Sequence, residues 1–280
     1  DLASIATLLG EAGTAACVLL VPHYFGVEQP AATMAALADL CRRHGMLLIE
    51  DCAHAWMLAQ HRVGAGRPAG RMVVASPYKY FACPDGGMLW GEPALLPAQG
   101  GGPGLLAELN AMRAISPHEA GALPAPAPLP DAIVRGAERC EQDDHPSHYY
   151  DAALERRDAL LLSRWLIRRA RPEVIARQRR QRYRQWLDAV SGLTKARALF
   201  PVLPDTCAPY MFPLLISCPD PDFFRLKQAG LPIWRWDDMA VSPCAVAARY
   251  RTQLLHLPCH QRLSNGQMDW MLALVREVLA

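Results

Sequence analysis

No C-x-x-C pair occurs in this chain, and its nine cysteines are scattered without histidines at a spacing suited to zinc. Neither a disulfide framework nor a metal site is indicated, and a reducing cytoplasm is the simplest setting. No apolar run approaches the ~20 residues of a membrane span, and no basic, apolar, small-residue leader opens the sequence. Charge of one sign is also missing, with 29 Lys and Arg against 27 Asp and Glu. Nothing therefore argues for nucleic acid or a membrane as the main partner, the local exception being the Arg-rich segment from Arg164 to Arg184. There is no initiator methionine: Asp1 opens straight into a helix-like pattern, so a preceding segment is expected.

What is present is a globular composition. A chain of 280 residues, 51% of them hydrophobic, can bury a large core as one big domain or two modest ones. The run from Met46 to Trp90 is the most informative. Met46 to Glu50 is a short apolar stretch entering Asp51 and Cys52 directly, as a buried parallel strand does at its carboxyl end. Met72 to Ala75 repeats the pattern, and Ser76, Pro77, Tyr78 and Lys79 follow as that strand leaves the sheet.

Asp51 and Lys79 thus fall on one sheet edge, outside the carboxyl ends of the strands, where open α/β sheets bind ligands. An acid and an amine there suggest pyridoxal phosphate (PLP) chemistry. A lysine holds that cofactor as a Schiff base, and a carboxylate keeps its pyridine nitrogen protonated so that the ring serves as an electron sink. Each residue also has a plainer reading. Asp51 would cap the next helix, and Lys79, between Tyr78 and Tyr80, would be a snorkelling surface lysine.

The segment IEDCAHA, followed after a gap by SPYKYFACPDGG, resembles the signature of the DegT/DnrJ/EryC1/StrS family of PLP-dependent sugar aminotransferases. The resemblance implies an α/β, aspartate aminotransferase-like fold (fold type I), with a mainly parallel sheet in the large domain and a small α+β carboxyl-terminal domain. It implies that Lys79 is the Schiff-base lysine, that Asp51 pairs with the pyridine nitrogen, and that His54 contacts the ring or its phenolic oxygen. Cys83, Asp85, Gly86 and Gly87 match the family's C-x-E-G-G run, with Asp in place of Glu. Members carry roughly one more third of large domain at the amino end, with a Gly-Thr segment that cradles the phosphate.

In chain order, residues 2–12 read as a helix stopped by Gly13, and residues 16–21 as a buried strand. His23-Tyr24-Phe25-Gly26 resembles the family's H-x-Y/F-G turn. His23 itself reads more simply as a hydrogen-bonded turn residue than as a catalytic one. Pro30 starts a helix whose apolar face is Met34, Leu37, Leu40 and Cys41, completing a β-α-β unit whose two strands open onto one cleft. A loop rich in Gly and basic residues is expected between Trp56 and Arg71, and a strand over 88–90. Residues 93–150 read as Pro/Gly-rich excursions around a helix at 105–115. A helix over 151–171 is broken by Pro172, and one over 173–190 carries RRQRYRQWL. Its arginines read either as nucleotide-diphosphate contacts or as a solvated face. A strand at 210–217, a helix at 222–229, a strand at 231–234 and a closing helix at 268–279 complete the chain. Residues 1–172 are thus expected to form a partial large PLP-binding domain with an insert at about 93–150, and 173–280 the small domain.

The departures from the family concern the phosphate. Val74 stands where a phosphate-binding serine is usual, with Ser76 as a substitute. The partner subunit's Asn of G-Y-N-Y-R-M has no counterpart in SHYYDAALERR. The expected function is transfer of an amino group from a donor such as glutamate to a keto-sugar nucleotide in glycan biosynthesis, by a homodimer. The alternative is a non-catalytic relative acting as a binding or assembly partner in the same pathway. A sugar dehydratase of this family would have His in place of Lys79.

Overall fold

The computed structural model describes residues 2–12, 18–64, 66, 69–96, 101–114, 152, 157–237, 239 and 241–280. The expectations for Gly13, for residues 16–17, for most of the 93–150 insert and for 151 and 153–156 lie outside the described residues. The chain divides into two compact units. The first comprises residues 1–116, 156–176 and 204–210, and the second 117–155, 177–203 and 211–280.

The first unit is built on a four-stranded sheet in the order β1-β2-β3-β4, namely Val18–Pro22, Leu47–Asp51, Met72–Ala75 and Met88–Gly91. The first three strands are parallel, with Leu20 opposite Ile49 and Asp51 opposite Val74, and β4 returns antiparallel. Helix α1 (Leu2–Ala12) precedes the sheet, and α2 (Ala31–Arg43) makes the β1–β2 crossover. The expected apolar face of α2 is the one it buries. Met34, Leu37, Leu40 and Cys41 pack with Val21, Met46 and Leu48 in one cluster, and Gly45 leaves the helix at φ 66°. Strand β1 is not wholly buried as expected: it lies at the sheet edge, and Val18 and Leu20 are exposed.

Between β2 and β3 the expected loop is in part a helix, α3 (Trp56–Gly64). Trp56, Leu58, Ala59 and Arg62 are its buried residues. The basic character that suggested a loop comes from His61 and Arg62, and Arg62 is drawn inside by carboxylates. Helices α4 (Leu105–Ala114) and α5 (Leu161–Arg169) follow. Helix α5 starts ten residues later than the sequence pattern suggested, at Leu161, because two carboxylates fix its amino end. Asp85 accepts from the Leu160 N–H at 3.1 Å and from the Ser163 hydroxyl, while Glu108 accepts from the Leu161 N–H at 2.7 Å. These anions satisfy donors that a helix start leaves orphaned and suit its positive dipole end.

Helix α6 (Pro172–Val190) runs from the first unit into the second. The second unit holds an antiparallel sheet β5-β6-β7 (Ala196–Ala198, Met211–Ile216, Leu254–Pro258) with α7 (Pro219–Gln228), α8 (Ala245–Gln253) and α9 (Asn265–Leu279). Its core joins Trp186, Phe212, Leu214, Leu226, Leu257, Met268 and Val275. A capping box between Ser264 and Gln267 starts α9. The expected strand at 231–234 is reduced to a single bridge from Trp234 to His256. Leu231 instead closes the turn after α7, its N–H bonded to the Leu226 carbonyl.

Two arginines of α6 depart from a solvated face. Arg179 is fully buried with its Nε 2.7 Å from Gln261 Oε1, and Arg182 bonds to the Leu263 carbonyl at 2.6 Å.

Candidate active site

Strands β1, β2 and β3 end level with one another at Pro22, Asp51 and Ala75, and the candidate residues follow from those ends. Asp51 is the last residue of β2. Its Oδ1 accepts from the Ala53 N–H at 2.8 Å, which turns the chain toward α3. Ser76 follows β3 directly and precedes a 3-10 turn over Pro77–Lys79, whose Lys79 N–H returns to the Ser76 carbonyl at 3.2 Å. Sheet register thus carries both Asp51 and Lys79 to the carboxyl edge.

Lys79 is half-buried. Burial pushes its ammonium below the ordinary lysine value, and the Asp51 carboxylate partly offsets this by favouring the charged form. The same carboxylate, added to burial, raises the Tyr24 hydroxyl. Both effects place the Asp51 charge within electrostatic reach of Lys79 and Tyr24. Lys79 Nζ also lies 5.5 Å from the centroid of the Tyr210 ring.

His54 sits among aromatics. Its ring centroid is 4.4 Å from that of Tyr210, with 30° between the planes, and its Nδ1 accepts from the Phe25 N–H at 3.4 Å. Phe25 has φ 61°, in the left-handed region that costs an L residue roughly 1–2 kcal/mol. Close packing around it holds that conformation. The Tyr210 N–H bonds to the Phe25 carbonyl at 2.8 Å. At Gly26 (φ +83°) an added Cβ would stand 2.4 Å from the Ala208 carbonyl oxygen. Tyr80, fully buried, donates its hydroxyl to the His54 and Ala208 carbonyls. Residues 204–210 are thereby fastened onto the His23–Gly26 turn.

Beneath this edge lies a buried charged network that the sequence did not disclose. Glu50 is fully buried. It accepts from Arg62 Nη1 at 2.7 Å and from the Gly70 N–H at 2.7 Å. His23 Nδ1 accepts from the Gln29 N–H at 3.1 Å, so Nε2 carries the proton and donates to Glu50 at 3.2 Å. Burial alone would raise the Glu50 carboxyl. The bonds from His23 and Gly70 and the Arg62 charge reverse this and hold it low. Arg62 also bonds to Glu28. His23 therefore fills the hydrogen-bonded turn role read from the sequence.

The structure gathers Asp51, Lys79 and Ser76 at one edge and places His54 in contact with Tyr210. Tyr210 and Tyr80 are the site residues that sequence reasoning missed. A half-buried amine of lowered pKa, within electrostatic reach of a carboxylate at the neighbouring strand end, is the donor set that a pyridoxal ring requires. The phosphate side fits less fully: Val74 in β3 offers no hydroxyl, and Ser76 supplies the nearest one in sequence.

Residues 3–94 match the model of the DegT/DnrJ/EryC1/StrS aminotransferase family. That segment, which holds Asp51, His54 and Lys79, is the part of the chain that is similar to the family.

Solved structures agree on the fold. The aminotransferase TlmJ from Streptoalloteichus hindustanus is 22% identical with a TM-score of 0.57, over 94% of this chain and 66% of that one. A DegT DnrJ EryC1 StrS aminotransferase from Brucella abortus is 15% identical with a TM-score of 0.57, over 100% of this chain and 70% of that one. The sugar aminotransferase CalS13 from Micromonospora echinospora is 17% identical with a TM-score of 0.55, over 97% and 70%. This chain thus has the fold of the PLP-dependent aminotransferases and spans about two thirds of the length of these relatives. No curated protein matches it. Among the described residues no helix is long and apolar enough to cross a membrane.

Proposed function

We propose that the chain is the greater part of a PLP-dependent aminotransferase that moves an amino group from an amino acid such as glutamate to a keto-sugar nucleotide. The observation that carries this reading is that Asp51, at the end of β2, and the half-buried Lys79, in the turn that follows β3, share one sheet edge. Bound pyridoxal phosphate would supply an electron sink beside the substrate carbon that changes its proton. The chain's own residues do the rest. Lys79 would hold the cofactor, and its amine would be the group that moves the proton at the substrate carbon, a task that its lowered pKa suits. Asp51 keeps the proton on the ring nitrogen. His54, braced by Tyr210, would orient the ring, and the Ser76 hydroxyl would serve the phosphate. The reading extends to a homodimer working in the cytoplasm, in line with the habit of the family.

Val74 favours a second reading, in which the chain has given up catalysis and serves as a binding or assembly partner in the same glycan pathway. One spectrum separates the two. The chain, with its natural upstream residues, is mixed with pyridoxal phosphate and scanned before and after glutamate, beside Lys79→Ala. An aminotransferase shows the visible band of lysine-bound cofactor in the parent, loss of that band in the variant, and bleaching by glutamate. Identical spectra for parent and variant, both those of free cofactor, would hand the case to the binding partner.

A further inference from the structure

The roles assigned above use Tyr210 as a brace for His54, yet the same ring also reaches Lys79. Lys79 Nζ stands over the Tyr210 ring, 5.5 Å from its centroid. The His54 ring lies 4.4 Å from that centroid with 30° between the planes, and the Tyr80 ring borders it at 6.1 Å. One side chain from far along the chain therefore meets both Lys79 and His54.

The ring is delivered by a short strap. Residues 204–210 belong to the first unit, although the stretches on either side, 177–203 and 211–280, belong to the second. The Cys207 thiol donates to the Gly26 carbonyl at 3.0 Å, and the Tyr210 N–H donates to the Phe25 carbonyl at 2.8 Å. The Ala208 carbonyl accepts from the Tyr80 hydroxyl at 3.2 Å. Gly26 has no Cβ to hold the strap off, since one built there would lie 3.1 Å from the Tyr210 nitrogen. These contacts fix the backbone from which the ring projects.

An aromatic face suits this place. The face of a ring carries partial negative charge and attracts an ammonium above it, where an aliphatic side chain of similar bulk would only exclude water. Lys79 is half-buried, and its long flexible stem gains most from a contact that holds the charged end. The charged and titratable groups about it are Asp51 at the end of β2, Tyr24 in the turn after β1, and His54, Tyr80 and Tyr210. Asp51 is the anion among them. The Tyr210 face adds a second, uncharged attraction that acts with Asp51 against the effect of burial.

We propose that Tyr210 is a positioning residue for Lys79: its ring face, fixed by the strap over 204–210, steadies the amine at the carboxyl edge within reach of Asp51. The inference rests on the proposed function for the task that Lys79 performs, and on the contacts themselves for the hold.

The test reads Lys79 without any cofactor. Trace acetylation with acetic anhydride across pH, followed by peptide mass spectrometry, gives the midpoint of the Lys79 amine. The proteins compared are the parent, Tyr210→Phe, Tyr210→Leu, and a chain with a trifluorinated phenylalanine at that position. Fluorine drains charge from the ring face while keeping the ring's shape and its exclusion of water. The expected result is a parent-like midpoint in Tyr210→Phe, and a midpoint lower by about half a unit to one unit with leucine or the fluorinated ring. Thiol labelling of Cys207 at the parent's rate checks that the strap stays fastened. The fluorinated ring decides the case on its own if leucine loosens the strap. Three results would each overturn the proposal: one midpoint for all four proteins, a midpoint with the fluorinated ring equal to or above that of Tyr210→Phe, or a fall in Tyr210→Phe as large as in Tyr210→Leu. If the midpoints fall as expected while the parent with its natural upstream residues shows no lysine-bound cofactor band, the hold on Lys79 stands and the aminotransferase reading falls.

Discussion

His23 donates its Nε2 proton to Glu50 at 3.2 Å, and the two are wholly shut off from solvent. This bond ties the turn after β1 to the strand that ends in Asp51. The same carboxylate takes Arg62 from α3 and the N–H of Gly70 before β3. One buried anion thus gathers the turn after β1, helix α3 and the segment that enters β3. At Gly70 a Cβ would stand 2.8 Å from the Leu48 carbonyl and 3.2 Å from Glu50 Cγ, so only glycine lets the backbone come this close.

Glu50→Gln should therefore destabilise the fold by about 3 kcal/mol, since it leaves Arg62 buried with Glu28 as its remaining anion. The pH dependence has a definite sign. The folded-state pKa of Glu50 is held below its ordinary 4.5, so its contribution is present above that value and is lost as pH falls toward the depressed one. Urea midpoints measured from pH 7 down to pH 3 should fall more steeply for the parent than for the variant. Parallel curves would show that Glu50 is not held low.

The Asp51–Lys79 coupling makes a second prediction, independent of any cofactor. Burial lowers Lys79 from its ordinary 10.5, and Asp51 resists this. Reductive trapping with a small aldehyde, read by peptide mass spectrometry across pH, should give Lys79 a midpoint below 10.5. In Asp51→Asn the midpoint should move lower still, because the charge favouring the ammonium has gone. A midpoint that rises in the variant would contradict the coupling.

How far the sequence disclosed this architecture can be judged residue by residue. The runs ending at Asp51 and Ala75 were legible because four or five apolar residues followed by polar ones are what a buried parallel strand looks like. The apolar face of α2 was legible from its period. Helix α3 was not, because an arginine-bearing, glycine-flanked stretch has the composition of a loop until Glu50 and Glu28 draw Arg62 inside. Tyr210 was missed for another reason. Its place beside Lys79 and His54 depends on contacts such as Tyr80 to Ala208, 128 positions apart, and no local pattern records such a pairing. The strand expected at 231–234 failed because Ile233, though fully buried, leads only to a single bridge.

Gly26 gives a third prediction, about the fastening of residues 204–210. A Cβ there meets the Ala208 carbonyl at 2.4 Å on a backbone at φ +83°, so Gly26→Ala should cost about 2–4 kcal/mol. Gly45 also has positive φ, but nothing lies within 4 Å of its Cβ position, so Gly45→Ala should cost only about 1–2 kcal/mol. Cys207, buried with its thiol bonded to the Gly26 carbonyl, reports the difference. Thiol labelling of Cys207 should accelerate in Gly26→Ala and not in Gly45→Ala. Equal labelling rates would mean that this segment is held by other contacts.

His256 gives the last prediction, for the second unit. It is buried in β7 with its ring 4.9 Å from that of Trp236, and burial lowers its pKa from 6.5 to about 4. A histidine kept neutral in the fold adds stability that is fully present above 6.5 and is lost as pH falls from there toward 4, because the unfolded chain takes up the proton first. The shift corresponds to about 3 kcal/mol over that interval. His256→Leu removes the titrating group while keeping an apolar side chain among Leu254, Leu255 and Leu257, which are themselves fully buried. The unfolding free energy of the parent, from denaturant titrations followed by Trp fluorescence, should decline between pH 6.5 and pH 4 by that much more than the variant's. His260, also lowered to about 4, remains in both proteins and cancels in the difference. If the two profiles superimpose, His256 is protonated in the fold without penalty, and its surroundings must accommodate the charge.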